Sequence, residues 1–472
     1  MGAWCLFSAP RIQNRCRKVL RRPRVGLVGV QCCCSPPALI YGTRPTISGA
    51  RRTLEALCTD GSTSTLAADS LTMARLLVVC WLALPALVFA RDIFDPLAYV
   101  DPLIGASNGG NVFPGASLPY GMAKAVADTN SGSRQGGFTL DGSPVTGFSM
   151  MHDSGTGGSP SLGNFALFAY TNCPDRDVNR CVFPKKARAA FGHFSNSTVS
   201  AKPGTFGITL HTGIRTEMTT THHTSLFSFT FPSVGADDEP AKPLILQDLT
   251  DLADSRQDNA SVTVDPKTGR ITGSARFLPS FGTGSYVLHF CTDFSGAHIV
   301  DSGIFVNSRA STEVHDLTIS RSINGYPLPG GAFVRFNSGA EPILVRTATS
   351  FISSERACEH AEHEIPDFDF TAVSEAATAA WRAKMSPIRV STDGVDGSML
   401  TNFYSGIYRT MISPQNYTGE NPLWSSSEPY FDSFYWYASV NRLVACANTA
   451  QHMGPVSFPA SFAYHYRSHC RD

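Results

Sequence analysis

The chain has 472 residues, enough for two or more domains, and its 42% hydrophobic and 16% charged residues are typical of a globular protein with a large core. Its formal net charge is zero, which gives no electrostatic argument for nucleic-acid binding. The 40 Gly and 30 Pro favour many turns, and therefore a β-rich architecture over a helical bundle.

The first 90 residues differ in charge from the rest of the chain. They hold 11 Lys/Arg against 3 Asp/Glu, whereas the remaining residues hold 27 against 35. From Met73 the sequence MARLLVVCWLALPALVFA is apolar, is short for a bilayer span, and ends with small residues at Val88 and Ala90. This pattern predicts a secretory signal peptide over 73–90 and an extracellular product. A buried helix and a membrane anchor are the alternatives, but no second apolar segment supports an anchor.

Residues 1–72 form an unusual leader, with no acidic residue before Glu55 and a run of three cysteines at 32–34. Two interpretations remain open. The leader is either an Arg-rich, acid-poor mitochondrial presequence or upstream message that an over-extended gene model translates ahead of the true start at Met73. In both cases we expect it to add no folded domain.

Cysteines and glycosylation sequons are both compatible with export. Between residues 91 and 435 the cysteines are Cys173, Cys181, Cys291 and Cys358, which allow three pairings. Cys173 and Cys181 bracket the polar loop CPDRDVNRC, so we expect a disulfide between them, with two buried thiols as the alternative. The sequons, each a weak match, begin at Asn196, Asn259 and Asn416.

Apolar residues alternate with small or polar ones from about residue 97 to 370, and Gly, Pro, Asp and Asn cluster between these runs. The alternation includes Phe206, Ile208, Leu210, Phe227, Phe229, Phe231, Tyr286, Leu288 and Phe290. Such short strands separated by turns predict a large antiparallel β-sandwich over 91–370, so the fold class is mainly β.

The periodicity then becomes helical. A first apolar stripe, which Thr371 would cap and Pro387 would end, predicts a linker helix. A second stripe recurs every four residues from Met399 to Ile412 and predicts a strongly amphipathic helix. Residues 371–435 therefore read as a linker helix and the start of a helical domain. Residues 436–472 show neither clean period nor capping pattern, and we expect a divergent, disordered tail.

Four long blocks then point to a family. DPLIGASNGGNVFPGASLPYGM, GFSMMHDSGTGGSPSLGNF, SFISSERACEHAEHEIPDFDF and YRTMISPQNYTGENPLWSSSEPYFDSFY occur in this order over roughly residues 96–435. In sequence and order they resemble the glycoside hydrolase family 92 α-mannosidases of the fungal secreted type. The resemblance implies a β-sandwich packed on an (α/α)6 barrel, with the active site between them. It also implies calcium-dependent, inverting, exo-acting hydrolysis of α-linked mannose, as in N-glycans.

Inverting hydrolysis needs a general acid and a general base, two carboxyls spaced to admit a water molecule. In the family these groups and most calcium ligands come from the barrel, beyond the point where this sequence diverges after Tyr435. There Trp436 follows, where the family continues with a Cys and a Trp-Asp-x-Phe-Arg segment. We therefore assign no catalytic residue or calcium ligand, and expect this chain to be inactive alone. An unspliced intron or an early stop would explain the tail.

The remaining site candidates are polar side chains in glycine-dense loops. The resemblance places the block containing His152, Asp153 and Ser154 at the cleft, and Asp128 and Arg134 lie in the preceding segment. Carboxylate, imidazole and guanidinium groups suit vicinal sugar hydroxyls, because they form paired hydrogen bonds. The alternative is that His152–Ser154 satisfy buried loop backbone. We also considered Tyr120 and Phe138 as rings that stack on a sugar, although such rings are more often in the core.

A second polar block lies near residue 430, where Glu428 or Asp432 would position sugar or metal in an intact relative. Asp367 and Asp369 are better explained as charges at a helix N-terminus. His222 and His223 are adjacent on an expected strand, so they would point to opposite faces and not share one ion. The sequence contains no zinc-binding pattern.

Two functional hypotheses follow. The first is an α-mannosidase by descent that acts on mannose-containing glycans, with neither nucleic acid nor membrane as a partner apart from the signal peptide. The second is a non-catalytic, carbohydrate-binding or structural β-sandwich module. A chain that fails to fold stably is a third, weaker possibility, because the sandwich face meant for the barrel would be exposed.

Overall fold

The computed structural model describes residues 94–152, 160, 162–234, 240–279, 284–337, 341–412, 415–422 and, for the backbone, 431–432. The chain separates into two units, Met1–Arg91 and Asp92–Asp472, and every described residue belongs to the second. The expected leader, signal peptide and tail lie outside the described residues.

Two large antiparallel sheets form the body of this unit. The eight-stranded sheet has the order β1-β2-β3-β4-β9-β16-β13-β14, and the nine-stranded sheet has the order β15-β10-β11-β12-β17-β8-β7-β6-β5. The strands of the first sheet are β1 Ala116–Ser117, β2 Lys124–Thr129, β3 Val145–Ser149, β4 Leu167–Tyr170, β9 Leu244–Asp248, β13 Ile299–Val306, β14 Arg309–Ser311 and β16 Gly330–Phe336. Those of the second are β5 Ser200–Lys202, β6 Thr205–Thr209, β7 Arg215–Thr220, β8 Thr224–Thr230, β10 Ala260–Val264, β11 Ile271–Phe277, β12 Tyr286–Ser295, β15 Asp316–Ile319 and β17 Ile343–Ser350. The predicted antiparallel β-sandwich is confirmed.

Four α-helices occur among the described residues: α1 Lys185–Arg188, α2 Ser354–Glu364, α3 Phe370–Met385 and α4 Gly397–Thr410. Short 3-10 helices cover Pro96–Tyr99, Pro174–Arg176, Val178–Arg180, Ala189–Phe191 and Asn196–Thr198, and a two-residue ladder joins β18 Gln415–Asn416 to β19 Phe431–Asp432. None of the described helices combines the length and the apolar character needed to cross a membrane.

Helices α2 and α3 cover the nine-stranded sheet. Helix α2 contacts β12 and β17, while α3 contacts β6, β7 and β8. Strand β8 is therefore buried at six of its seven residues rather than at alternate ones. Gly204, in the turn before β6, has φ of +92°, and a Cβ there would lie 2.9 Å from the Cβ of Ala377 in α3. Only glycine lets the helix approach this turn so closely.

Two details of the sequence interpretation are wrong. Residues 354–364 form a helix inside the segment predicted as sandwich, because Ser353 caps its first turn through Arg356 N at 3.1 Å. This helix buries only small or polar side chains, Ala357, His360 and Ala361, and its composition is strongly polar, so no stripe of large apolar residues marks it in the sequence. The N-cap of helix α3 is Asp369 rather than Thr371: Asp369 accepts a hydrogen bond from Ala372 N, the helix begins at Phe370, and Thr371 lies inside it.

Two disulfides fix peripheral elements to the sheets. One joins Cys173 to Cys181 around the polar loop, and the other joins Cys291 in β12 to Cys358 in α2. The second bridge crosses from the nine-stranded sheet to the helix that covers it. Helix α2 is thus held at a fixed position on the sheet.

Candidate functional site

The centre of the candidate site is a buried cluster of Asp128 in β2, Ser149 at the end of β3, and His152 just beyond it. Asp128 Oδ1 lies 2.7 Å from His152 Nε2, and Ser149 Oγ donates to Asp128 Oδ2 at 2.7 Å. The antiparallel register places Val126 opposite Ser149, so the bend after β3 returns His152 to Asp128. His152 is 0% exposed and Asp128 is 1% exposed.

The hydrogen bonds of this cluster determine where its protons are. His152 Nδ1 lies 2.7 Å from the carbonyl oxygen of Lys124, which cannot donate, so Nδ1 carries a proton. The contact between Nε2 and the Asp128 carboxylate needs a second proton, because two bare acceptors would repel each other. The Asp128–His152 pair therefore holds two protons: one lies on Nδ1, and the other lies between Nε2 and the carboxylate.

Glycine at 137 makes room for the His152 ring. Gly137 has φ of +89°, and a Cβ there would lie 2.7 Å from His152 Nε2 and Cδ2. On its other side the imidazole packs against the ring of Phe113, with 5.5 Å between centroids. The glycine-dense sequence thus reflects close packing around a buried imidazole.

The same region holds Arg134. His152 forms an isolated antiparallel bridge with Leu162, and Leu252 N donates to Leu162 O at 2.8 Å. Arg134 donates from Nη1 to Ser131 O at 2.6 Å and from Nη2 to Leu252 O at 3.3 Å. The structure therefore brings Asp128, Arg134 and His152 to one end of the sandwich. It leaves Arg134 half-buried, whereas the other two are enclosed.

The other predicted site residues are less fully defined. Asp153, Ser154 and Glu428 lie outside the described residues. The backbone of Asp432 pairs with Gln415 in the β18–β19 ladder. The next residue, Asn416, donates its N–H to Tyr120 O at 2.8 Å, which places the ladder beside the Tyr120 turn.

The two rings considered for sugar stacking are occupied by protein contacts. Tyr120 is half-buried, with Lys384 Nζ 5.6 Å from its ring centroid. Phe138 is in the hydrophobic core, packed against Phe194 and Phe206.

The buried carboxylates are committed to partners within the described part of the chain. Besides Asp128 they are Asp248, Asp251, Asp293 and Glu420. Asp248 pairs with Arg188, Asp293 with Arg270 and Arg346, Asp251 accepts from Ser255 N and Oγ, and Glu420 accepts from His360. Desolvation by burial raises the pKa of Asp251. None of the five has the pairing with a second free carboxyl that inverting hydrolysis needs.

A second polar cluster, which the sequence interpretation missed, joins the β7–β8 turn to α2 and the segment after α4. His223 Nδ1 lies 2.6 Å from Glu364 Oε1, and His360 Nε2 lies 2.7 Å from Glu420 Oε1. The two imidazole rings stack with centroids 3.9 Å apart. Burial alone would raise the pKa of Glu364, but hydrogen bonds from His223 and Thr221 hold it at about 2.

His223 lies in a turn rather than in the expected strand, so the argument from alternating faces does not apply to it. The spacing of His360 and Glu364, four residues apart on one helix, was the available sequence signal. This spacing brings two side chains together only on a helix, and the sequence pattern predicts sandwich strands there, so the pair does not stand out in the sequence.

The sequon asparagines differ in exposure. Asn196 and Asn259 are exposed, while Asn416 is partly buried and its Oδ1 accepts from Thr418 N and Oγ1. The first two therefore offer an accessible side-chain amide.

Comparison with known proteins identifies two consecutive matches. The glycosyl hydrolase family 92 N-terminal domain matches residues 99–350, and the family 92 catalytic domain matches residues 356–444. An uncharacterized secreted glycosidase of Arthroderma benhamiae is 47% identical over 369 residues, which are 75% of this chain and 47% of that protein.

Solved structures agree on the fold. The family 92 inverting mannosidase of Bacteroides thetaiotaomicron superposes with a TM-score of 0.57 at 21% identity, over 72% of this chain and 44% of that one. A family 92 α-mannosidase of the same organism, in complex with mannoimidazole, gives a TM-score of 0.59 at 19% identity, over 72% and 44% of the two chains. The chain spans less than half the length of these relatives.

Proposed function

Because this chain belongs to glycosyl hydrolase family 92, we propose that it forms the N-terminal lobe of an exo-acting, inverting α-mannosidase that hydrolyses α-linked mannose of N-glycans. The observation that carries the proposal is the close succession of the two family matches, over residues 99–350 and 356–444, within one unit of the chain. The names of the mannosidases with the same fold supply the substrate class.

The described residues serve positioning and binding in this proposal. Asp128 and His152 are too deeply buried to reach a sugar, so their role is to fix the backbone from which Asp153 and Ser154 extend. Arg134 is half-buried and has guanidinium N–H groups beyond its two backbone contacts, which suit vicinal hydroxyls. Asp432 and Glu428 complete the candidate set from the second family-matched region.

We propose that turnover needs catalytic-domain residues in addition to those described. The acid and base of an inverting reaction are two carboxyls with room for water between them, whereas the buried carboxylates here are held in hydrogen bonds and ion pairs. Because the family resemblance places both carboxyls in the barrel, beyond Tyr435, we expect the 472-residue chain alone to be inactive.

We propose that the enzyme depends on calcium and that the calcium ligands, like the acid and the base, are catalytic-domain residues other than those described. Calcium takes six to eight oxygen ligands. The metal-capable group that the described residues bring together consists of two imidazoles and one carboxylate, a donor set that does not fit calcium. No step is therefore assigned to calcium within the described part of the chain.

Hydrolysis of a disaccharide α-mannoside, with and without calcium, tests the proposal on two proteins. The first is the 472-residue chain, from which we expect no mannose above background. The second is a hybrid in which residues 91–422 replace the aligned part of the Arthroderma relative, and we expect it to release mannose with inverted configuration. A folded hybrid without mannosidase activity would contradict the assigned function, and turnover by the chain alone would contradict its dependence on further residues.

A non-catalytic carbohydrate-binding module is the second candidate function. A groove of about 260 Å³ lies beside the Cys173–Cys181 bridge, with Tyr170, Phe191 and Arg180 in its lining. Aromatic side chains together with a few polar or charged groups are the usual lining of small-molecule sites. Glycan-array binding that is lost in Phe191→Ala but kept in Arg134→Ala would favour this module function over a cleft-centred site.

Secretion and glycosylation are proposed as well. The Arthroderma relative is described as secreted, and Asn196 and Asn259 are exposed. Expression in a fungal host is expected to deliver the protein to the medium with a mobility shift on endoglycosidase treatment. The shift is expected to shrink in Asn196→Gln and Asn259→Gln, and less in Asn416→Gln.

A further inference from the structure

The cluster at the β7–β8 turn contains a set of metal-ligand atoms that the proposed glycosidase function does not use. We propose that His223, His360 and Glu364 form a binding site for one divalent transition-metal ion, with zinc as the expected occupant. One ligand atom from each of the three lies within 4.8 Å of the other two. His360 and Glu364 come from successive turns of α2, and His223 comes from the facing turn.

Glu420 leaves the other nitrogen of His360 available for a metal. Its Oε2 accepts from Ser350 Oγ at 2.7 Å and from Phe351 N at 2.8 Å, so the carboxylate is fixed in place. Its Oε1 then accepts a hydrogen bond from the N–H at Nε2 of His360. In the neutral imidazole Nδ1 is therefore a bare lone pair on the side of Glu364. Metal-binding histidines are commonly oriented in this way, by a carboxylate on the ring nitrogen away from the ion.

The distances bracket those of a tetrahedral site. With ligand bonds of about 2.0–2.1 Å, two ligand atoms of a tetrahedral zinc lie about 3.4 Å apart. Glu364 Oε1 is 2.6 Å from His223 Nδ1 and 4.0 Å from His360 Nδ1. Entry of the ion would replace the proton between His223 and Glu364, widen that contact and shorten the other. The first of these two contacts would lengthen by about 0.8 Å and the second would shorten by about 0.6 Å, changes within the reach of side-chain rotation.

Binding would also break the ring stack. The two imidazole planes are within 11° of parallel, and one ion cannot lie in both planes while they remain so. His223 is the ring that has to tilt, because His360 is tied to the immobile Glu420. His223 occupies a short turn, and its side chain is 16% exposed, which gives it room to move.

The donor set selects the type of ion. Imidazole nitrogen suits zinc and other late first-row metals, whereas calcium and magnesium prefer oxygen. Two histidines and one glutamate leave a fourth position for water. Helix α2 is already fixed by the Cys291–Cys358 bridge, so two of the three ligands are preorganised. The ion would join the N-terminal family region, through His223, to the catalytic family region, through α2.

Metal titration of the full chain tests this site. After removal of bound metal with EDTA, the chain is dialysed against zinc and its metal content is measured by plasma mass spectrometry. We expect one zinc per chain, a rise in melting temperature on zinc addition that EDTA reverses, and a tetrahedral d–d spectrum with cobalt.

Matched variants locate the ion. His223→Ala and Glu364→Gln are expected to weaken zinc binding by tenfold or more, and Glu420→Gln by 10–100-fold through loss of ligand orientation. Glu364→Gln keeps an acceptor for the Thr221 hydroxyl, so it can still test the site if His223→Ala fails to fold. His363→Ala removes an exposed histidine of the same helix and is expected to bind zinc as the wild type does. Substoichiometric zinc in the wild type, or equal loss in His363→Ala and Glu364→Gln, would overturn the proposal.

Discussion

Replacement of Asp128 gives the sharpest test of how the candidate site is built. In Asp128→Ala, the donors His152 Nε2 and Ser149 Oγ lose the carboxylate that both contact at 2.7 Å. Breaking a buried ion pair by removal of one partner costs about 3–5 kcal/mol. The imidazole can shed its proton, and Ser149 Oγ, which lies 3.0 Å from Nε2, can then donate to it. We therefore expect a loss of about 3 kcal/mol in the free energy of unfolding.

Asp128→Asn is the informative comparison. Its amide N–H can donate to an unprotonated Nε2 while its oxygen still accepts from Ser149, so all hydrogen bonds survive with one proton fewer. The expected cost is about 1 kcal/mol, close to that of Ser149→Ala, which removes one hydrogen bond. With a proton between Asp128 and His152, the cost of Asp128→Ala is expected to lie well above that of Asp128→Asn.

Urea unfolding followed by tryptophan fluorescence supplies the three free energies. Nitrogen-15 spectra of histidine-labelled protein supply the protonation state of His152. In the wild type the hydrogen-bond geometry predicts one proton on Nδ1 of His152 and a second proton between Nε2 and Asp128. In Asp128→Asn we expect the neutral tautomer with Nδ1 protonated. Equal cost of the Asn and Ala variants, or a bare Nε2 in the wild type, would refute the reasoning.

Three further perturbations test buried contacts at the site and elsewhere in the fold. Gly137→Ala is expected to destabilise the fold by more than 1 kcal/mol in urea unfolding, because its Cβ would meet the buried imidazole at 2.7 Å and φ is positive. Burial raises the pKa of Asp248, but Arg188 and nearby hydrogen bonds outweigh it and hold that pKa below its usual value. The ionised pair thus contributes stability above the unfolded-state pKa, and the contribution is lost as pH falls through the folded-state pKa. Arg188→Met should cost about 3–5 kcal/mol at pH 7 and less at pH 3, and equal losses at both would count against the pair. The double change Cys291→Ser and Cys358→Ser opens a bridge spanning 67 residues and should cost about 4 kcal/mol in thermal unfolding, more than loss of the shorter-loop bridge.

Much of the sandwich could be predicted because alternation is a local property of the chain. Phe206 and Ile208 alternate with small residues, and both are buried in β6. The same rule finds β8 through Phe227 and Phe229, but it does not predict that the residues between them are buried too, because helices cover the second face of this strand. Helix α2 was missed for a related reason, since its buried side is made largely of Ala357 and Ala361, which contribute little apolar contrast.

The candidate site was less predictable because its contacts are long-range. The sequence pointed to Asp128 and His152 as polar groups in glycine-dense segments, but their mutual hydrogen bond depends on the β2–β3 register and the bend after β3. His360 and Glu420 are 60 residues apart, and His223 and Glu364 are 141 apart. No local pattern in the chain specifies such pairs, because tertiary packing alone brings them together.

The boundary between the two family matches is crossed by buried contacts and is not a hinge. Trp381 in α3 donates from Nε1 to Ser117 O at 2.6 Å, and Glu420 accepts from Ser350 and Phe351, which close the sandwich. Removal of the Trp381 indole or of the Glu420 carboxylate would leave its buried partners without a hydrogen bond, and each unpaired group costs about 1–3 kcal/mol in the free energy of unfolding. The start of the catalytic region therefore contributes to the stability of the sandwich. A deletion after residue 350 is accordingly expected to unfold the N-terminal region rather than to release an independent module, so a glycan-binding test of the groove beside the Cys173–Cys181 bridge needs both regions present.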